Sequence, residues 1–175
     1  KLKDMLAKET DMNMKEHIKA QIEVYEDVKK AKEALSANQA KKKEATDFLN
    51  EVKADPDAFS ISSIKAKVKD NIDNPDIYEV YLQAIKAKKK DDFKLDFEDE
   101  FYKTKQEIED KKHSIQWKVD HYKQSGDKVN ELAFNAQLEA FVEVEKEYAE
   151  QKKKAEEDAK AILDKAKQSG KVTLG

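Results

Sequence analysis

The side chains best suited to metal binding lie in one predicted helix, where His113, Trp117 and His121 follow one another at steps of four residues. Histidines four residues apart on a helix can share a metal ion, but these two are separated by two such steps, about 12 Å. That distance is too long for one ion. Solvent-exposed or interface positions are therefore the better interpretation, with Trp117 as a buried or interface anchor.

Two acidic segments could carry other chemistry. Asp70–Asp76 superficially resembles a calcium loop, but it lacks the glycine at the sixth position and the glutamate at the twelfth, so helix capping and turn formation explain it better. Residues 91–100 contain six carboxylates and one lysine. Because general acid–base catalysis needs a shaped, dry cleft that separates two pKa values, a solvated acidic segment does not predict a catalytic site.

Composition excludes several classes of site. The three glycines stand alone at 126, 170 and 175, which rules out a glycine-rich phosphate loop. The chain has no cysteine, so zinc–thiolate, iron–sulfur and disulfide chemistry are absent. No serine or threonine has a histidine nearby in a nucleophile-like pattern. We therefore expect no catalytic residue, no cofactor and no bound metal.

The charge balance argues against nucleic acid as a partner. Thirty-five basic residues, all lysines, face 38 acidic ones, giving a net charge of −3. Arginine, the usual bidentate ligand of phosphate and guanine, does not occur. The lysine clusters 41–43, 88–90 and 152–154 could contact anionic lipid or an acidic partner, although such clusters are more often solvated. The sequence also predicts no transmembrane segment, because uncharged runs are short.

Helix-forming residues dominate the chain, and its apolar residues recur at steps of three and four. Helices are predicted near 13–53, 60–71, 75–88, 95–123 and 128–168, with N-caps at Asn13, Asn74 and Asp127 and a helix end at Gly126. Residues 1–12 form a polar lead with weak helical character. The alternation of Phe93, Leu95 and Phe97 permits a short strand, but a helix start is the preferred interpretation.

These elements predict an all-α fold: an elongated protein of long helices, or a coiled-coil hairpin, with a short helical segment in the middle. The expected division is 1–57 for the lead and first long helix, 58–90 for a short helical hairpin, and 91–175 for two long antiparallel helices. All three parts would form one structural unit. The forty-residue helices would each be about 60 Å long.

Apolar positions on the long helices predict surfaces that bind partner helices, since a monomer rarely leaves large apolar patches exposed. The first helix carries a coiled-coil seam interrupted by Asn38 and Lys42. Polar seam residues can fix the register of a coiled coil, but the preferred interpretation is that the partner ends or thins there. The last helix carries a second apolar face, at Phe134, Leu138 and Phe141, that would need further cover. The candidate interface residues are Val28, Leu35, Leu49, Val52, Phe101, Ile108, Ile115, Trp117, Phe134, Leu138, Phe141, Val144 and Tyr148.

Residues 42–122 carry a series of short motifs in a distinctive order. A helix ends at a proline turn, followed by the acidic–aromatic pair Asp57 and Phe59, the basic helix Ile64–Lys69, the pair Ile72–Asp73 and the segment Ile77–Tyr81. In this order of parts the chain resembles subunit d of the mitochondrial F-type ATP synthase, a peripheral-stalk family. The family's second aromatic residue is a serine here, and no proline follows Pro75.

The resemblance implies a non-catalytic stator subunit whose helices pack along stalk subunit b. It would lie on the matrix side of the inner mitochondrial membrane, and could associate peripherally with that membrane through a complex. A start at Lys1 rather than methionine is compatible with a processed N-terminus or with missing residues. The alternatives are a soluble helical adaptor or effector acting through protein–protein contacts, and a helical protein of the membrane surface. An enzyme is the least favoured.

Overall fold

A computed structural model describes residues 1–8 and 11–170. The described residues form six α-helices, one 3-10 turn and no strand, which confirms the all-α prediction. The bounds are α1 Leu2–Lys8, α2 Met12–Ala54, the turn Pro56–Ala58, α3 Ile61–Asp70, α4 Pro75–Glu98, α5 Lys105–Ser125 and α6 Lys128–Gln168. None of the helices in the described ranges is both long and apolar enough to cross a membrane. The elongated, coiled-coil shape stays a prediction.

The chain divides into two compact units, Lys1–Ala45 and Thr46–Gly175. In the first unit, α1 lies beside α2, where Lys3 forms an ion pair of 3.7 Å with Glu26. Leu2 and Ile22 line the same shallow surface groove. Asp11 caps α2 by accepting hydrogen bonds from the backbone N–H groups of Asn13 and Met14, at 2.8 and 3.1 Å. The predicted N-cap at Asn13 is therefore wrong.

The second unit is built around a bundle of α4, α5 and α6, with α3 packed on α4 and α6. Helices α4 and α6 run parallel, as the ring contact of Phe97 with Tyr148 at one end and the Lys128–Tyr78 contact at the other show. Helix α5 runs antiparallel to α6. The turn between them has Gly126 at φ 76° and Asp127 capping Asn130 N–H, which confirms both predicted residues.

The last turns of α2 also belong to the second unit, where Phe48 is the centre of an aromatic cluster. Its ring meets Phe59 at 5.1 Å and Tyr81 at 5.5 Å, both edge-to-face. The ammonium group of Lys67 lies 4.9 Å from the Phe48 ring centroid. Leu49 and Val52 are buried here by the chain's own second unit. They are therefore not available to a partner in this conformation.

The predicted helix 95–123 is wrong, because α4 continues through the acidic segment to Glu98 and α5 begins only at Lys105. Phe93 and Phe97, four residues apart, are almost fully buried against α6. Burial of each phenylalanine contributes about 1.5–3 kcal/mol, whereas a carboxylate near a helix C-terminus costs about 0.3–1 kcal/mol. Apolar burial thus outweighs the cost of placing these acidic residues near the end of the helix. The expected boundary between the parts 58–90 and 91–175 therefore falls inside α4.

Helix α4 ends in a Schellman motif with an unusual residue at its centre. Phe101 N–H donates to Asp96 C=O at 2.9 Å, and Glu100 N–H donates to Phe97 C=O at 3.2 Å. This geometry holds Glu100 in the left-handed region at φ 56°, a position that usually belongs to glycine. The side chain of Glu100 therefore strains the backbone that ends the helix.

We expect Glu100→Gly to stabilise the protein by about 1 kcal/mol, because glycine removes the steric cost of the left-handed conformation. Urea denaturation followed by circular dichroism measures the change. Asp99→Gly, at φ −79°, is the matched control and should destabilise the protein, since that conformation gives glycine no steric advantage. Equal or lower stability of Glu100→Gly than of the wild type would contradict the strain argument.

Candidate interaction surfaces

The predicted interface residues fall into two groups that the structure treats differently. One group belongs to the core of the second unit: Ile115, Phe141 and Val144 are buried there, and Ile108, Leu138 and Tyr148 are packed against it. The same core contains Phe93, Phe97 and Ala140, with Tyr102 packed against them. Phe141 is fully buried by contacts with the rings of Phe93, Phe97 and Tyr102. The expectation that Phe141 needs a partner's cover is therefore wrong in this conformation, because α4 and α5 cover it.

The second group remains exposed. Val28, Leu35, Phe101 and Trp117 have exposed fractions of 48, 59, 69 and 64%. Phe134 has intermediate exposure. Its ring is partly covered by a parallel stack with Tyr122, at a centroid distance of 5.5 Å, and by the ammonium group of Lys118 at 5.2 Å. These five residues retain surface that another molecule can contact.

Trp117 belongs to a row of rings on α5. The indole stacks on His121 at 5.0 Å with an interplanar angle of 7°, and His121 meets Tyr122 edge-to-face at 5.3 Å. His113 stands exposed on the same helix. The structure thus gives His121 an aromatic neighbour, and the prediction of an exposed or interface histidine agrees with its position.

A ladder of ion pairs fixes the register of α4 against α6. Lys86 pairs with Glu139 and Glu143, Lys90 with Glu143 and Glu147, and Lys94 with Glu147. We call these ion pairs the α4 ladder. On the other side of α6, Lys112 of α5 pairs with Glu145 at 2.9 Å. The expectations from the sequence did not include this ladder. The sequence does contain a sign of it, because lysines on α4 and glutamates on α6 both recur at steps of four residues.

The pairing shifts the titration of the ladder groups. The hydrogen bond from Lys86 lowers the pKa of Glu143, and the hydrogen bond from Lys90 lowers the pKa of Glu147. Burial alone would lower the pKa of Lys90, but hydrogen bonds to Glu147 and Glu143 raise it above its usual 10.5. Each charged form is therefore favoured by the folded bundle.

We expect the ladder to make the bundle less stable at both pH extremes. Stability from Glu143 and Glu147 is complete above their unfolded pKa of 4.5 and is lost as the pH falls through their lower folded values. Stability from Lys90 is complete below 10.5 and is lost as the pH rises through its higher folded value. Urea denaturation of Glu143→Gln/Glu147→Gln should therefore show a smaller loss below pH 4.5 than the wild type. An identical acid-side loss would contradict this assignment.

A second titrating cluster lies at the junction of α4 and α5. Burial, with the Asp96 carboxylate adding to it, raises the pKa of Tyr102 to about 12. Burial also raises the pKa of Asp96, and burial together with Lys118 lowers the pKa of Lys111. These groups sit beside the aromatic core, so their shifts follow from packing.

One acidic grouping in the described part of the chain could hold a hard cation. Carboxylate oxygens of Asp57, Asp91 and Asp92 lie within 4.8 Å of one another. Beside them, Lys88 donates to the Pro56 carbonyl at 3.1 Å and Lys89 pairs with Asp92 at 4.0 Å. The two lysines supply positive charge next to the three acids. The expectations from the sequence did not place Asp57 beside the 91–100 segment, because Asp57 and Asp91 are 34 positions apart in the chain.

The Asp70–Asp76 segment performs the capping role that the sequence predicts. Asn71 donates through its side-chain amide to the Lys67 carbonyl at 2.8 Å and ends α3. Asn74 is the N-cap of α4, with Pro75 at the first helical position, as predicted. The acidic segment therefore connects two helices.

The end of α6 is a long exposed surface in the described part of the second unit. From residue 149 to residue 168 the helix continues with every side chain exposed, except Ala166, which is half-buried. Ala155, Ala159, Ile162 and Ala166 share one face of this segment, which continues the face that carries Val144 and Tyr148 in the core. We call residues 149–168 the α6 extension.

Comparison with family models, with curated proteins and with solved structures finds no match to this chain.

Proposed function

We propose that this protein is a non-catalytic structural subunit of a larger assembly, and that its α6 extension binds a helix of another subunit. The observation that carries the proposal is the α6 extension itself: about five turns of helix whose side chains are exposed in the described chain, apart from the half-buried Ala166. Most helical stability in proteins comes from packing of an apolar face. Here the apolar face exists, with Ile162 at 72% and Leu163 at 45% exposure, but nothing in the described chain covers it.

The alanines determine which partner geometry fits the α6 extension. Ala155, Ala159 and Ala166 present small side chains along the face that ends in Ile162. Small residues allow two helix axes to approach closely, whereas the isoleucine supplies an apolar knob. A second helix packed lengthwise is therefore the partner that this surface accommodates best. A flat or globular partner would contact only part of the face.

We further propose that the assembly is a peripheral stalk of the mitochondrial ATP synthase type, on the matrix side of the inner membrane. Support comes from the residues that carry the resemblance to subunit d, because several of them form one cluster. Phe59 and Tyr81 both contact the Phe48 ring, and Lys67 lies over Phe48 and Tyr81. Motifs that are dispersed in sequence thus contribute to one packed feature, as parts of a common fold should.

The test is purification of the tagged full-length chain from its native cells, followed by native mass spectrometry. We expect recovery with a large complex containing other helical subunits. Ile162→Asp should reduce that recovery at least tenfold, because it places a charge at an apolar contact, a change that costs several kcal/mol when the site is buried. Ala161→Asp adds the same charge to the same helix outside the apolar face and should leave recovery unchanged.

Two results would contradict the proposal. Recovery of the chain without a large complex would favour the adaptor or effector alternative. Equal recovery of Ile162→Asp and Ala161→Asp with the complex would show that the α6 extension is not the contact surface. Circular dichroism of both variants provides the folding control, since both substitutions lie at exposed positions.

A further inference from the structure

A second exposed apolar surface lies in the first unit, on α2. It consists of Val24, Val28, Ala31 and Leu35, which follow one another at steps of four, three and four residues. We call these four residues the α2 stripe. Val24, Val28 and Leu35 are 63, 48 and 59% exposed, and Ala31 is exposed as well. This is the seam spacing of a two-stranded coiled coil, with Val28 and Leu35 at a positions and Val24 and Ala31 at d positions.

Helix α1 does not compete for the α2 stripe. It lies beside the face that carries Ile22 and Glu26, as the Lys3–Glu26 ion pair and the groove lining show. Ile18, which is buried, lies on that same side of α2. The α2 stripe therefore faces away from α1 and remains accessible along three helical turns.

The charges that flank the α2 stripe indicate its partner. With Val28 at an a position, Asp27 occupies the preceding g position and Lys32 the following e position. In a parallel two-stranded coiled coil, a g residue of one helix lies next to the e residue five positions later in the other. Asp27 of one copy would then meet Lys32 of a second copy, and the pair would form twice.

Neither the Asp27 carboxylate nor the Lys32 ammonium has a charged partner in the described part of the chain. Asp27 and Lys32 are both exposed, and neither forms an ion pair or a side-chain hydrogen bond among residues 1–8 and 11–170. By contrast, the lysines of the α4 ladder all have carboxylate partners. Among the described residues, nothing therefore prevents Asp27 and Lys32 from pairing with another molecule.

The g–e pairs one heptad before and one heptad after the Asp27–Lys32 pair are also compatible with a parallel arrangement. Ala20 would lie next to Tyr25, which places a small side chain beside a large one, and Ala34 would lie next to Gln39. An antiparallel arrangement brings g positions next to g positions and e positions next to e positions, so no antiparallel register pairs Asp27 at g with Lys32 at e. The charge pattern therefore complements a parallel copy of itself.

We propose that two copies of this chain associate through the α2 stripe as a parallel, in-register coiled coil, with Asp27 of each copy paired with Lys32 of the other. The contact is short, and a positions also include the polar Gln21, so the dimer is weak and reversible. It uses a surface different from the α6 extension, and its success or failure is independent of the proposed function.

Sedimentation velocity of the full-length chain tests the association, and we expect a concentration-dependent dimer. Asp27→Lys alone and Lys32→Asp alone should each raise the dissociation constant about tenfold, because two attractive contacts become repulsive. The double variant Asp27→Lys/Lys32→Asp should regain wild-type association. Recovery of association by the double variant is the decisive result. In a parallel dimer the double variant restores both opposite-charge pairs, whereas in an antiparallel dimer it does not.

Disulfide cross-linking tests the orientation, because the chain has no cysteine of its own. Val24→Cys and Leu35→Cys, made separately, should both give covalent dimers under mild oxidation. In an antiparallel pair only a position on the two-fold axis can meet itself, so at most one of these variants would cross-link. Cross-linking of one variant or neither would overturn the parallel arrangement.

Two sedimentation results would overturn the proposal. One is a wild-type chain that stays monomeric up to about 1 mM. The other is a double variant that associates no better than the single ones. Glu33→Lys, on the far side of α2 from the α2 stripe, is the control for a general effect of charge and should leave the dissociation constant unchanged.

Discussion

Phe141→Ala should destabilise the second unit by about 3–5 kcal/mol, the largest loss that we expect from a single truncation. Phe141 is fully buried, and its ring centroid lies 5.1 Å from that of Phe93, 5.7 Å from that of Phe97 and 5.5 Å from that of Tyr102. Removing the ring leaves a cavity where three helices meet. Because small domains are stable by only about 5–15 kcal/mol, this loss consumes much of the total.

Urea denaturation followed by circular dichroism measures the loss, and Phe101→Ala is the matched control. Phe101 is the same residue type but 69% exposed, so its truncation should cost less than about 1 kcal/mol. If Phe141→Ala does not fold, Phe141→Leu gives a smaller version of the same effect. Similar losses for Phe141→Ala and Phe101→Ala would show that the aromatic core is packed differently.

Deleting the α6 extension from Lys152 onward should abolish assembly and leave the bundle intact. Side chains in residues 152–168 make no buried contacts in the described chain, except for the half-buried Ala166. The free energy of unfolding of the second unit should therefore change by less than about 1 kcal/mol. Recovery with the large complex should fall to background, since the whole proposed contact surface is missing.

Thermal denaturation and native mass spectrometry of the shortened chain separate these two effects. Loss of both stability and assembly would mean that the α6 extension supports the bundle. Retention of assembly would locate the partner surface elsewhere, with Trp117 as the next position to test, because its indole is 64% exposed.

Local rules predicted some of the turns of this protein and missed others. Gly126 and Asp127 were identified from their types alone, because a left-handed helix end favours glycine and an N-cap needs a short side-chain acceptor. The same kind of signal was present and missed at the start of α5. Thr104 accepts from Glu107 N–H at 3.1 Å, and the Glu107 carboxylate accepts from Lys103 N–H at 2.6 Å. Threonine followed three residues later by glutamate is a known helix-start pattern.

Long-range packing determines which apolar faces of the helices are buried, and local rules could not predict this. The sequence places Val28 and Phe141 in equally regular apolar patterns, yet one is exposed and the other fully buried. Periodicity identifies which face of a helix is apolar, but not which element covers it. The α4 ladder shows the same limit, since Lys90 and Glu147 lie 57 residues apart and meet only because α4 and α6 run parallel.

The parallel arrangement of α4 and α6 has a kinetic consequence. Helices α5 and α6 are joined by a tight turn, so their contacts close a short loop, whereas α4 can reach α6 only across the whole of α5. Closing the longer loop costs more chain entropy before any contact compensates for it. The α5–α6 hairpin should thus form early and serve as the template on which α4 docks, so that substitutions at Tyr122 and Phe134 slow folding while those at Lys90 mainly accelerate unfolding.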